Sequence, residues 1–167
     1  MEIVWPERYS ADNTAVHVSN ELEISASPEV IWAWLVRASL WSEWYPTVRG
    51  VTIAGGKRDL ELGSKFTWRI FGVTLSSTVE EFVPDERLAW SAQFEGVDAY
   101  HAWLIERRPG GCRVLTEENQ KGWLARLNNL LRPSNVRYYH HVWLEALKSK
   151  AEGGYPPEPP ASRRDFK

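Results

Sequence analysis

His101 and Glu118 are the side chains of this sequence best suited to proton transfer, and both lie in predicted strands. Strand alternation places Glu118 among apolar neighbours on the inner face of a sheet, and it allows the same placement for His101 on one of two possible faces of its strand. Burial lowers the pKa of an imidazole, so a neutral His101 could exchange a proton near neutral pH. Burial raises the pKa of a carboxyl group, so Glu118 could serve as an acid. The alternative is structural, with Glu118 hydrogen-bonded to the hydroxyl of Thr116 or Tyr139.

Residue spacing does not favour other kinds of catalytic or metal chemistry. Cys112 is the only cysteine, which excludes an intrachain disulfide and a thiolate metal cluster. The four histidines, His17, His101, His140 and His141, do not have the spacing of a metal-binding motif. His140 and His141 are neighbours on a predicted helix and point about 100° apart, so they cannot share a ligand. Nucleophile-elbow and phosphate-loop motifs are also missing, and we expect no metal and no cofactor.

The sequence has ten tryptophans, an unusually high content for 167 residues. Each of them could simply fill the core, which is the common role of large aromatic side chains. Four of them, however, are predicted to converge on one concave surface: Trp68, Trp90, Trp103 and Trp143. Pockets lined by aromatic rings and a few polar groups are the usual sites for small molecules. We therefore predict a pocket for a small hydrophobic or aromatic ligand.

The predicted ligand-binding residues lie on the inner faces of the strands and on the C-terminal helix. They are Phe66, Trp68, Leu75, Ser77, Trp90, His101, Trp103, Thr116, Tyr139, His140 and Trp143. If the protein is an enzyme, His101 and Glu118 are the predicted catalytic residues.

Period-two patterns predict about seven strands that would position these residues. The first runs from Val16 to Ile24, with alternate apolar and polar side chains. Over 65–83 a two-residue loop predicts a hairpin in which Trp68 lies opposite Leu75. Turns rich in proline and glycine separate the later strands, which is typical of an antiparallel sheet.

Helical patterns flank these strands. Ser27-Pro28-Glu29 predicts the start of one short helix, and a second is predicted over 40–44. Helical spacing returns at Trp123, is interrupted by Pro133, and continues over 134–152. This order predicts one α+β domain over 16–152, in which the long helix covers the apolar face of the sheet. Residues 1–15 are expected to form a loose lead-in, and the proline-rich residues 153–167 a flexible tail.

Charge and hydropathy argue against nucleic-acid and membrane-spanning functions. The net charge is −2, without the basic stripe of a nucleic-acid-binding protein. We interpret the basic residues Lys121, Arg126, Arg132 and Arg137 as a solvated helix face rather than a phosphate-binding surface. The sequence has neither a signal-peptide pattern nor an apolar run of the roughly 20 residues that a membrane span needs. We expect a soluble, cytoplasmic protein that is a monomer or a homodimer.

Five stretches share the pattern of a known superfamily. They are LEISASPEVIW (22–32), WSEWYP (41–46), LAW (88–90), HAW (101–103) and GGCRV (110–114). Together they resemble the START-like, polyketide cyclase/dehydratase (SRPBCC) superfamily over about 16–152. The resemblance implies a helix-grip fold: a curved seven-stranded antiparallel sheet around a long C-terminal helix, with two short helices after the first strand. It also implies a cavity between sheet and helix for hydrophobic molecules, lipids included.

The resemblance also selects a face for the strand that contains His101. Tyr100, Ala102 and Leu104 form an equally apolar alternative face. The family pattern places His101 and Trp103 inward instead.

Three functions are compatible with these features, because this superfamily serves many functions. The first is a carrier or sensor that binds a small hydrophobic or aromatic molecule. The second is a cyclase or dehydratase, of the lyase type, that uses His101, Glu118 or a tyrosine in the same cavity. The third is a protein-interaction module, which an exposed apolar patch on the outer face of the sheet would favour. Two or more titratable groups that converge in the pocket would favour the enzyme, and one isolated polar group would favour binding.

Overall fold

Alternating apolar and polar residues form seven strands within residues 2–158, the part of the chain that the computed structural model describes. The strands are β1 (Val16–Ile24), β2 (Val48–Ile53), β3 (Lys65–Ile70), β4 (Val73–Val83), β5 (Arg87–Phe94), β6 (Val97–Arg108) and β7 (Gly111–Lys121). They form one antiparallel sheet in the order β1-β7-β6-β5-β4-β3-β2. Strands β2 to β7 therefore follow one another across the sheet, and β1 pairs with the last strand.

Four α-helices accompany the sheet in the described part of the chain: α1 (Pro28–Val36), α2 (Trp41–Trp44), α3 (Trp123–Leu131) and α4 (Asn135–Ala151). Short 3-10 turns lie at Glu7–Tyr9, Ala11–Asn13, Ala38–Leu40 and Ala54–Gly56. Helix α4 packs across β1 and β7 and against α1. The buried residues of α4 share one face: His140, Trp143, Leu144, Leu147 and Ala151. The predicted α+β helix-grip fold is confirmed.

The sheet bends around α4. Its register shifts between Val79 and Glu81 in β4 and between Arg49 and Thr52 in β2. Such irregularities bend a strand and increase its twist. The β3–β4 hairpin has the predicted register, with Trp68 opposite Leu75.

Aromatic rings dominate the core between sheet and helices. Trp41, fully buried in α2, contacts Phe66, Trp68, Trp90 and Trp143, with ring centroids 5.2–6.0 Å apart. The Trp41 Nε1–H group donates to the carbonyl of Leu35 at 3.0 Å. The short helix α2 is thus anchored by one tryptophan that reaches the middle of the sheet.

The residues before β1 pack on the outer face of the sheet. Tyr9 is fully buried against Tyr100, and its hydroxyl donates to Asp98 Oδ1 at 2.6 Å. Asn119 Nδ2 donates to the Tyr9 carbonyl at 2.7 Å, and Trp5 also contacts Tyr100. This segment, expected to form a loose lead-in, covers apolar residues of β5 and β6.

The start of the proline-rich tail lies against α1 and the residue after it. Trp34 Nε1 donates to the Gly154 carbonyl at 2.6 Å, and Arg37 Nη1 donates to the Pro157 carbonyl at 2.8 Å. Residues 159–167 of the predicted tail lie outside the described residues. Among residues 2–158, no helix has the length and hydropathy to cross a membrane.

Candidate functional site

A cavity of about 710 Å³ lies between the inner face of the sheet and helices α3 and α4. Seven of the predicted ligand-binding residues line it: Trp68, Leu75, Trp90, His101, Tyr139, His140 and Trp143. Glu118, predicted as a catalytic residue, lines it as well. The predicted pocket residues from β3 to β7 and from α4 are thus brought to one space.

The other four predicted ligand-binding residues support the cavity lining from behind. Phe66 packs edge-on against Trp41 and Trp90. Ser77 Oγ accepts a hydrogen bond from Trp68 Nε1 at 3.0 Å and fixes the orientation of that indole. Trp103 and Thr116 are paired residues on β6 and β7, and both contact His101.

Strand register positions the polar end of the cavity. Trp90, His101 and Glu118 lie directly across β5, β6 and β7 from one another. Helix α4 adds His140, whose imidazole lies nearly parallel to that of His101 with centroids 4.6 Å apart. One row of the sheet and one helical turn therefore bring together two imidazoles and a carboxylate. We call His101, Glu118 and His140 the polar triad.

The triad is held by short contacts. Glu118 Oε2 lies 3.2 Å from His101 Nδ1 and 3.2 Å from His140 Nε2. The other carboxylate oxygen, Oε1, accepts a hydrogen bond from Gln120 Nε2. His101 Nε2 lies 2.7 Å from Thr116 Oγ1. All three groups are buried or nearly so, since the Glu118 side chain is only 14% exposed.

Burial and the neighbouring charges set the ionisation of the triad. Burial lowers the pKa of His101, the proximity of His140 lowers it further, and the Glu118 carboxylate opposes both effects. Burial raises the pKa of Glu118, but the hydrogen bond from His140, the two nearby imidazoles and the hydrogen bond from Gln120 outweigh it and lower that pKa. The expectation of a raised pKa for Glu118 is therefore wrong, because His140 was not foreseen as its partner. These directions favour an ionised Glu118 that accepts hydrogen bonds and a neutral His101.

Several buried polar atoms at the cavity have no hydrogen-bond partner among the described residues. They are the indole nitrogens of Trp90 and Trp143 and Nδ1 of His140. Buried polar groups in native proteins are nearly always paired, so these atoms lack their usual partners. They lie just behind the cavity surface, and a ligand atom would reach them only after a small movement of the side chains.

Tyr45 is a cavity residue that sequence reasoning did not single out. Its ring stacks on Trp143 at 4.6 Å with an interplanar angle of 11°, and its hydroxyl donates to the Tyr139 carbonyl at 3.2 Å. Burial raises its pKa. The only signal in the sequence was its place in the WSEWYP stretch (41–46), which identified the family and not a role.

The outer end of the cavity was also missed. Phe71, at the β3–β4 turn, contacts Tyr139 of α4 with ring centroids 4.3 Å apart. From α3, Leu124, Asn128 and Leu131 complete this end. The helical pattern predicted α3 but gave no indication that it would border the cavity.

Comparison with known proteins agrees with this geometry. Residues 15–152 match the model of the family described as polyketide cyclase / dehydrase and lipid transport. The chain belongs to this family. The suspected SRPBCC relationship is therefore confirmed.

Solved structures of similar proteins show the same fold as this polyketide cyclase/dehydrase and lipid transport family member. A hypothetical protein of Helicobacter pylori is 28% identical, with a TM-score of 0.83 over 90% of this chain and 96% of that one. The di-domain ARO/CYC StfQ from the steffimycin biosynthetic pathway is 14% identical, with a TM-score of 0.70 over 88% of this chain and 55% of that one. A START superfamily protein from Mycobacterium smegmatis is 17% identical, with a TM-score of 0.60 over 82% of this chain and 94% of that one. Among proteins with curated functions, none matches the sequence.

Proposed function

We propose that this protein binds a small hydrophobic or aromatic molecule in the cavity between sheet and α4, as a carrier or sensor. A volume of about 710 Å³ is within the range of roughly 300–1,000 Å³ that is usual for small-molecule pockets. Trp68, Leu75 and Phe94 supply apolar walls. The family description, which includes lipid transport, also supports a hydrophobic ligand.

The aromatic-lined cavity, with unpaired polar atoms just behind its inner end, is the observation that carries the proposal. Leaving a buried donor without a partner costs about 1–3 kcal/mol. After a small shift of the indoles, a carbonyl or hydroxyl oxygen of a ligand could accept from the N–H groups of Trp90 and Trp143 and recover that cost. The ligand would therefore place its polar end near the triad and its apolar part toward Trp68 and α3.

Two tryptophans provide a matched test of this proposal. Trp68 lines the cavity, whereas Trp103 is equally buried but packs behind His101 and Trp143. We expect Trp68→Leu to weaken the binding of an environment-sensitive apolar dye about tenfold, because an aromatic contact of about 1.5 kcal/mol is lost. Trp103→Leu should change the affinity by no more than about twofold.

Fluorescence titration gives the two affinities, and circular dichroism checks that both variants remain folded. An unchanged affinity of the Trp68 variant would show that the dye does not bind in the cavity. Native mass spectrometry of the purified protein, followed by denaturing analysis, would then identify any small molecule that co-purifies.

A second candidate function is a cyclase or dehydratase, and the convergence of the triad favours it. Three titratable side chains meet at the cavity, an arrangement that favours catalysis, whereas the apolar walls would serve a carrier and an enzyme equally. His101 or His140 would move a proton on a polyketide-like substrate, and Glu118 would hold the imidazoles in position. Incubation with a poly-β-ketone analogue tests this role. Aromatic product that forms with the wild type and not with His101→Gln would support it, and equal product from both would contradict it.

The protein-interaction alternative has less support. Of the large apolar residues that are exposed in residues 2–158, none lies in a strand. The outer surface of β5 and β6 is instead covered by the segment around Tyr9. The structural cue that would favour this alternative, an apolar patch on the outer face of the sheet, is therefore not found in the described part of the chain.

A further inference from the structure

The polar triad has the composition and the spacing of a metal site. Two imidazole nitrogens and a carboxylate oxygen from His101, His140 and Glu118 lie within 4.8 Å of one another. Metal ligands at zinc bond lengths of about 2.0–2.1 Å are separated by about 3.3 Å in a tetrahedral site. The two nitrogen–oxygen distances of 3.2 Å match that separation. The two imidazole nitrogens lie within 4.8 Å of each other and would have to move closer when a metal binds. We propose that His101, Glu118 and His140 bind a first-row divalent transition metal such as Zn²⁺.

Neighbouring hydrogen bonds orient two of the three ligands. Without a metal, His101 Nδ1–H can donate to Glu118 while Nε2 accepts from Thr116 Oγ1 at 2.7 Å. A metal would select the other tautomer, in which Nε2–H donates to Thr116 Oγ1 and the lone pair of Nδ1 is free to bind the cation. Gln120 holds Oε1 of Glu118 and leaves Oε2 facing both imidazoles. Outer partners of this kind fix the tautomer and the orientation of metal ligands.

The donor types select the class of cation. Imidazole nitrogen favours zinc, copper, iron and nickel, whereas Mg²⁺ and Ca²⁺ prefer sites made of oxygen. Two histidines and one carboxylate are also the ligand set of sites that keep open positions for a water molecule or a substrate. Since all three residues line the cavity, the open positions would face it. A carbonyl or phenolate oxygen of the bound molecule could occupy one of them, and this extension rests on the proposed function.

Binding requires a small rearrangement. The two imidazole planes are within 8° of parallel, with centroids 4.6 Å apart. A bound cation lies in the plane of each imidazole ring, so the rings would turn about their side-chain bonds. The cavity beside His140 provides the space for this movement.

The spacing of these residues in the sequence gave no indication of this site. The three residues come from β6, β7 and α4, far apart in the sequence, and none belongs to a linear metal motif. The expectation of no metal was drawn from such motifs alone, whereas the register of His101 with Glu118 and the docking of α4 create the cluster.

Metal titration of the full-length, chelator-treated protein tests the proposal. We expect about one equivalent of Zn²⁺ to be taken from a chromophoric indicator, and Co²⁺ to give visible absorption bands. Mg²⁺ should not compete. Glu118→Gln and His140→Gln should each weaken Zn²⁺ binding at least about 100-fold, and Thr116→Val about tenfold.

The matched control is His141→Gln. His141 is the next residue on α4, its side chain is 52% exposed, and it lies 3.7 Å from Glu145. His141→Gln should leave the Zn²⁺ affinity unchanged. If this variant lost Zn²⁺ binding, the metal would be bound at the surface, and the proposal would be overturned. The absence of Zn²⁺ uptake by the wild type, or unchanged uptake in both folded triad variants, would overturn it as well.

Dye binding in the same samples separates this result from the proposed function. Dye binding without metal uptake would contradict the metal site and leave the ligand cavity standing. Metal uptake without dye binding would support the metal site and contradict the ligand cavity. If a triad variant fails to fold, Thr116→Val and the Co²⁺ spectrum of the wild type still decide the question.

Discussion

Trp41 joins α2 to the centre of the sheet through contacts with four other aromatic rings. It is fully buried, and its indole N–H group is paired with the Leu35 carbonyl. We expect Trp41→Ala to lower the free energy of unfolding by about 3–5 kcal/mol, the usual cost of removing a large aromatic side chain from a core. Chemical denaturation measures the change.

Trp123→Ala is the control for this prediction, because that indole is 64% exposed on α3. Its loss should change the free energy of unfolding by no more than about 0.5 kcal/mol. Equal effects of the two substitutions would contradict the central role of Trp41.

Individual residues differ in how far the sequence could place them. His101 and Glu118 both line the cavity, Glu118 as strand alternation predicted and His101 on the face that the family resemblance implied. The contact between Glu118 and His140 could not be predicted, since it depends on how α4 docks across the sheet. That contact, together with His101 and Gln120, lowers the pKa of Glu118 where burial alone would raise it, and so favours an acceptor over an acid.

At the scale of elements, the pairing of β1 with β7 depends on a glycine. A Cβ atom at Gly111 would lie 2.2 Å from the carbonyl oxygen of Ile24, a backbone atom that cannot move away cheaply. We expect Gly111→Ala to destabilise the protein by about 3 kcal/mol, the upper end of the usual cost of overpacking. Hydrogen exchange should show faster exchange at the β1 amides near Ile24.

Gly110→Ala serves as the neighbouring control. A Cβ atom there has nothing within 4 Å, so its only cost is the strain of a φ of +84°, about 1 kcal/mol. The β1 amides should keep their protection in this variant. Equal loosening of β1 in both variants would show that the contact with Ile24 is not the cause.

Helix α3 exposes the apolar stripe that predicted it. Leu127, Leu130 and Leu131 are 42%, 78% and 68% exposed, although their spacing is that of a buried helix face. The pattern predicted the helix, but it did not predict that the apolar face of the helix would be exposed.

Leu130→Ser should therefore leave the thermal midpoint unchanged and reduce retention on a hydrophobic-interaction column. On α4, Leu144→Ser is the control, because Leu144 is fully buried and its replacement should cost several kcal/mol. A large stability loss from Leu130→Ser would mean that the face is covered in solution.

For the whole molecule, the order of strands and helices could be predicted from the sequence. The burial of the sheet on both of its faces could not. Strand β6 is buried on both sides, with His101 and Trp103 inward and Tyr100 and Ala102 under the segment around Tyr9. Because β6 is buried on both sides, the side chains on both its faces are apolar, and the sequence alone did not distinguish the inner face from the outer one. The aperiodic residues before β1 gave no indication that they would form the second cover.

The strand order has a consequence for synthesis on the ribosome. Strand β1 emerges first, yet Val16 pairs with Gln120 and Ile24 with Cys112. At ordinary translation rates of roughly 5–20 residues per second, the first strand waits about 5–20 s for its partner. During that interval its backbone groups are exposed to other nascent chains. The protein can close its sheet only after β7 has been synthesised, about 100 residues after β1.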